Sequence, residues 1–203
     1  MYETQTPESI RAHAFATLGK LCLRDAGLAK RSLNLLAREL HDSEGKWKVQ
    51  SNALLVLGDL CVRYTNMADR FLPAMAKCLQ AGVTDLSTNI LDQTLHDGSA
   101  VVRKHAILSL SSLLLRDYIK WRGLLFHRFL IASVDEEDDV AALAETVLNG
   151  PLLAKNSKLF SGQFVESMFV LNRCTAHPIY QAASAMGDGG SGISVDFEGI
   201  HLT

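Results

Sequence analysis

No apolar run in this 203-residue chain is long enough to cross a bilayer. The longest, such as LSLSSLLL ending at Leu115, stop at charges well short of the roughly 20 residues that a spanning helix needs. Nor does one sign of charge dominate. Twenty Lys and Arg stand against 22 Asp and Glu, a net charge of -2, so any contact with nucleic acid or anionic lipid has to be local. Cysteine is scarce: there are four, far apart, and two lie inside apolar helical pattern. That suits buried, reduced thiols better than a disulfide frame. The opening MYETQTPESIRAHA lacks a basic start followed by an apolar run, so no secretory signal is expected and the mature chain is expected to start in the cytosol. Catalytic motifs are missing too. Without a nucleophile elbow, a phosphate loop or a His-Glu-x-x-His helix, no catalytic residue, cofactor or small-molecule substrate is expected.

What the chain does have is repetition. IRAHAFATLGKLCLR from Ile10 and VQSNALLVLGDLCVR from Val49 share Ala, Leu-Gly-x-Leu-Cys and Arg at one spacing. Two further copies follow. Ile10, Val49, Val102 and Val140 open them; Ala14, Ala53, Ala106 and Ala144 come four residues later, and Leu18, Leu57, Leu110 and Leu148 four after that. An i, i+4, i+8 stripe is one face of a helix. The intervals of 39, 53 and 38 residues are those of two-helix solenoid repeats, and the long one implies an extended loop over Ala81 to Ser99. Between the copies lie LAKRSLNLLAREL from Leu28, MADRFLPAMAKCL from Met67, YIKWRGLLFHRFLIA from Tyr118 and SKLFSGQFVESMFVL from Ser157. Each reads as the partner helix. A single pair is too thin to bury its own stripe, so stacked neighbours complete the core. Gly19 and Gly58, each costing a helix about 1 kcal/mol relative to Ala, are expected where another helix comes close.

DGSAVVRKHAILSL, from Asp97 to Leu110, has the leading Asp and Val-Arg pair of a HEAT repeat. RAHAFATLGKLCLRD, LGDLCVRYTNMADRFLP and, above all, VRKHAILSLSSLLLRDYIKWRGLLFHRF resemble the HEAT core of the D-type regulatory subunits of condensin, closest to the condensin-II type. The resemblance covers roughly residues 9 to 180 and implies an all-α superhelix of HEAT repeats. It also implies a non-catalytic scaffold in mitotic chromosome condensation, located in the nucleus on chromosomes, with kleisin and SMC subunits and chromatin, DNA or histones, as partners. A transport adaptor or phosphatase scaffold of the same architecture is the alternative. Residues 9–180 would form the solenoid, about three helix pairs with an unpaired helix at each end, and residues 181–203 a flexible Gly/Ser tail. That phase implies a fragment or variant product of a longer chain; the separate expectation is seven main helices.

Candidate contacts are few. Arg103, Lys104, Arg116, Lys120 and Arg122 form the candidate DNA or chromatin set, with Arg128 beside them and Lys30, Arg31 and Arg38 on another helix. Some of these arginines are expected to bond neighbouring repeats instead. The acidic run Asp135 to Asp139 reads as an interhelix loop whose last acids favour the positive end of the next helix, against a docking patch for a basic partner. Tyr118, Trp121, Phe126 and Phe129 read as core at helical spacing, against an aromatic cage for methylated lysine. Cys174 and His177 supply half a zinc set at most. Gly187 to Gly192 matches Gly-x-Gly-x-x-Gly but lacks the strand and helix that give the motif its mechanism.

Overall fold

The computed structural model describes residues 8–41, 46–80, 93–122 and 124–171, together with Pro178. Among them every regular element is helical. α1 is Glu8–Cys22, α2 Ala26–His41 and α3 Trp47–Arg63. α4 is a broken rod of Thr65–Ala68, a 3-10 turn Asp69–Phe71, Leu72–Lys77 and a second 3-10 turn Cys78–Gln80. Pro73 sits at its main break, where proline withholds an N–H from the preceding turn. α5 is Gln93–Leu115, α6 Leu125–Ala132, and α7 runs from Asp138–Val147 through a π-turn, Leu148–Leu152, into Leu153–Lys155. The π-turn surrounds Gly150 and Pro151, and Gly150 is non-helical at φ -92° and ψ -106°. α8 is Leu159–Leu171. That makes eight main helical stretches among the described residues, the number that three pairs and two unpaired helices add up to and one more than the seven expected.

The helices form two layers. α1, α3, α5 and α7 lie side by side, and α2, α4, α6 and α8 back them. Cross-links rise together along each neighbouring pair, so the first set runs parallel. From α1 to α3 they are Asn52 Nδ2 donating to the Ala12 carbonyl at 2.8 Å, Gly19 against Val56, and the Tyr64 hydroxyl donating to the Leu23 carbonyl at 3.3 Å. From α3 to α5 they are the hydrogen bond between Ser51 and His105, and Gly58 against Ser109. Asp25 caps α2, its Oδ1 accepting from the Gly27 and Leu28 N–H groups at 2.7 and 3.1 Å.

Three of the four stripe copies are core. Val49, Ala53 and Leu57, then Val102, Ala106 and Leu110, then Val140, Ala144 and Leu148 are all buried. The first copy departs: α1 buries Ala12, Phe15, Gly19 and Cys22 and turns Ile10 and Ala14 outward. The two glycines also differ. A Cβ on Gly19 would collide with Val56, reaching 2.8 Å from Cγ1 and 3.1 Å from Cβ, whereas one on Gly58 would rest 3.7 Å from Ser109. Only Gly19 is required by a close approach. Cys22, Cys61 and Cys78 are buried as reduced thiols. Burial pushes the Cys78 thiol up to about 12 despite the nearby Arg128 charge.

Two helix limits differ from the expectation. Gln93 to Ser99, placed in a loop by their polar composition, are the first turns of α5; Gly98 is tolerated because the packed helix beyond it outweighs a local cost of about 1 kcal/mol. Tyr118 to Arg122 and Leu124, placed in the partner helix, precede α6. Asp117 stops α5 with a left-handed φ of 62°. The Tyr118 N–H then bonds to the Leu113 carbonyl at 3.0 Å and the Asp117 N–H to the Leu114 carbonyl at 3.2 Å, the paired bonds of a Schellman end. Residues 81–92 of the expected loop, Cys174 and His177, the glycine run and the tail 181–203 lie outside the described residues.

Candidate functional site

The five cations selected from sequence separate into three environments. Arg103 points inward. Its Nε and Nη2 meet the two oxygens of Asp135 at 2.7 and 2.8 Å, its Nη1 donates to Ser99 Oγ at 3.1 Å, and its side chain is 2% exposed. A guanidinium enclosed in that bidentate bridge has no route to a phosphate, so Arg103 leaves the candidate set; it ties α5 to the turn before α7. Lys104, about 100° further round the helix, lies at the surface and bonds Asp139 of α7 at 2.8 Å. That hydrogen bond, with the lysine charge, holds the Asp139 carboxyl below its ordinary range. Arg116, Lys120 and Arg122 are exposed around the turn that Asp117 makes.

The acidic run is built into the same region. Asp135 holds Arg103 and also accepts the Glu137 N–H at 3.0 Å, while Asp138 and Asp139 open α7, where negative charge suits the exposed N–H groups. The aromatic residues pack edge to face: Trp121 on Phe126 and Phe129 with centroids 5.7 and 5.6 Å apart, and Phe126 on Phe160 at 5.8 Å. Phe126 and Phe129 are buried. The cluster therefore fills the junction of α5, α6 and α8 and does not form an open box around a cation.

Lys155 was not selected from sequence, yet it completes this end of the molecule. Its Nζ donates to the Leu114 and Leu115 carbonyls at 2.9 and 2.7 Å and meets Asp117 Oδ2 at 2.7 Å. The turn after α7, with exposed Lys158, is thereby drawn to the turn after α5. The same edge carries exposed Arg24 after α1 and Arg63 at the end of α3. A signal was present: a basic residue follows each stripe copy. No group of three His, Cys, Asp or Glu suited to a metal occurs among the described residues, and none of the described helices is long and apolar enough to cross a membrane. Ser51 and His105, a hydroxyl beside an imidazole, sit in mid-helix and join α3 to α5.

Layered helix pairs with a recurring stripe define an all-α HEAT-repeat protein. Residues 1–40 match a family described as "Condensin-2 complex subunit D3-like. HEAT repeats", and residues 80–178 match the family of non-SMC mitotic condensation complex subunit 1. Condensin-2 complex subunit D3 of Mus musculus is 39% identical over 178 residues, 88% of this chain and 11% of the relative. Subunit CAP-D3 of Arabidopsis thaliana is 37% identical over 166 residues, 82% of this chain and 11% of the relative. Subunit D3-L of Xenopus laevis is 37% identical over 174 residues, 86% and 10%. The chain belongs to the condensin-2 D3 family of non-SMC subunits. It spans about a tenth of the length of these relatives. No solved structure matches it significantly.

Proposed function

We propose that the chain is a non-catalytic scaffold segment of the condensin complex, working in mitotic chromosome condensation in the nucleus through protein contacts with kleisin and SMC chains and a direct contact with chromatin DNA. Its family supports the complex. The carrying observation for the DNA contact is the row of cations at the shared end of four parallel helices: Arg24, Arg63, then Arg116, Lys120 and Arg122, then Lys158. Neighbouring helices pack about 8 to 10 Å apart, so the row is a ladder that a phosphate backbone can follow without reading its bases.

Binding is expected to be tolerant of sequence and steeply weakened by salt. Arg116→Glu with Lys120→Glu should lower affinity for a DNA duplex and reduce the log–log salt slope by about 0.9 for each phosphate no longer neutralised, with helicity and urea midpoint unchanged. Lys104 is left intact because it bridges α5 and α7. Equal affinity and slope in wild type and variant would remove DNA as a ligand of this edge. A gentle pull-down analysed by mass spectrometry tests the complex separately; cargo or a small GTPase in place of SMC and kleisin chains would favour the adaptor alternative.

A further inference from the structure

Asp117 is out of place on a basic edge. It stands between Arg116 and Lys120 in the turn that closes α5, its side chain is 77% exposed, and its backbone holds a left-handed φ of 62°. A carboxylate so placed competes with a phosphate for the cations beside it. The structure gives that carboxylate another partner. Lys155, from the end of α7, brings its Nζ to 2.7 Å from Asp117 Oδ2.

An exposed ion pair alone is a weak tether, but this amine also donates to the Leu114 and Leu115 carbonyls at 2.9 and 2.7 Å. An ammonium has three hydrogens, and here each has an acceptor inside the protein, which leaves none to offer a phosphate. The acceptors belong to the frame of the turn: the Leu114 carbonyl also takes the Asp117 N–H, and the Leu113 carbonyl takes the Tyr118 N–H. We infer that Lys155 is a positioning residue for the basic edge, holding the Asp117 carboxylate and its turn so that Arg116 and Lys120 are left to a DNA phosphate. This role rests on the DNA reading of that edge. Ile119, buried beneath the turn, and Trp121, packed on Phe126 and Phe129, anchor its other side, so loss of Lys155 alters the Asp117 end and leaves the stack folded.

Duplex affinity across a salt series separates a positioning role from a direct one. Lys155→Met should lower affinity about fivefold in the wild-type background and less than about twofold beside Asp117→Asn, where no carboxylate remains to be held. Asparagine accepts a left-handed φ, so Asp117→Asn keeps the turn. In that background the log–log salt slope should be the same with Lys or Met at position 155. A direct phosphate contact gives equal losses in both backgrounds and a slope lower by about 0.9 in each. Hydrogen exchange of the Asp117 and Tyr118 amides, read without DNA, should quicken in Lys155→Met while the amides of α3 stay protected. If Lys155→Met unfolds the chain, Lys155→Gln, which keeps a donor for one carbonyl, takes its place. Unchanged affinity in Lys155→Met, equal losses in both backgrounds, or unchanged exchange would each overturn the inference. A wild type that binds no duplex is a different failure: it removes the DNA reading of the edge, and the inference with it, whatever the exchange rates.

Discussion

A glycine and its copy, 39 positions apart in the chain, have opposite reasons to exist. At Gly19 the side chain of Val56, branched at Cβ and stiff in a helix, occupies the place a methyl would take. Gly19→Ala therefore combines a propensity gain of about 1 kcal/mol with an overpacking cost of about 1 to 3 kcal/mol, and should lower stability or leave it level. At Gly58 the methyl meets Ser109 at ordinary contact distance, and Gly58→Ala should raise stability by about 0.5 to 1 kcal/mol. Urea midpoints of both variants and of Gly19→Ala with Val56→Ala check the assignment. A Gly58→Ala chain less stable than Gly19→Ala would reverse it. Sequence shows the two glycines as equals, since what separates them is the neighbour across the helix. Arg103 and Lys104 present the same problem. Adjacent in the chain, they face a buried carboxylate and the surface, and only the distant Asp135 tells them apart.

At the level of elements, α8 meets α6 through a Phe126–Phe160 contact and through His127, whose Nδ1 lies 3.4 Å from Ser167 Oγ. The Ser167 hydroxyl donates to the Gln163 carbonyl at 2.7 Å, so the neutral imidazole carries its proton on Nδ1. Its Nε2 is buried without a hydrogen-bond partner. Burial lowers the His127 pKa from its ordinary 6.5, and the Glu166 carboxylate offsets part of that. The unfolded chain then takes up this proton before the folded one does, so the contribution to stability is whole above pH 6.5 and declines as pH falls below it. Urea midpoints at pH 7.5 and 5.5 should differ more for wild type than for His127→Gln; an equal or larger difference in the variant would exclude His127 as the source. Element limits were legible where periodicity was strong, as in α2 and α3. They failed at α5 and α6. Nothing about Asp117 in the sequence announces a left-handed turn, and the polar first turns of α5 carry no stripe.

At the scale of the molecule, one hydrophobic cluster runs from Ala12 to Leu159, so the described repeats are expected to unfold together. Leu57 and Leu110, fully buried in α3 and α5, should each cost about 2 to 5 kcal/mol as Leu→Ala. Each substitution should shift a single transition, seen alike by circular dichroism and by the fluorescence of Trp47 and Trp121 read singly in Trp121→Phe and Trp47→Phe chains. Separate midpoints for the two tryptophans would divide the stack. The repeat itself was plain in the sequence, because a shared core imposes the same stripe on every copy. The basic edge was legible only in part, since Lys155 and Lys158 reach it through the stacking of α7 beside α5.

Parallel stacking has an electrical consequence for that edge. Each stripe helix ends there with its last carbonyls pointing out of the helix and a partial negative charge of roughly half an electron, and four such ends in one row make a standing negative pole beneath the cations. Lys155 already answers two of those carbonyls directly. Part of the positive charge is thus neutralised by the protein's own backbone before a polyanion arrives. The number of counterions released on DNA binding should accordingly fall below the number of lysines and arginines on the edge, and the arginines and lysines lying furthest from a helix terminus should contribute most of it.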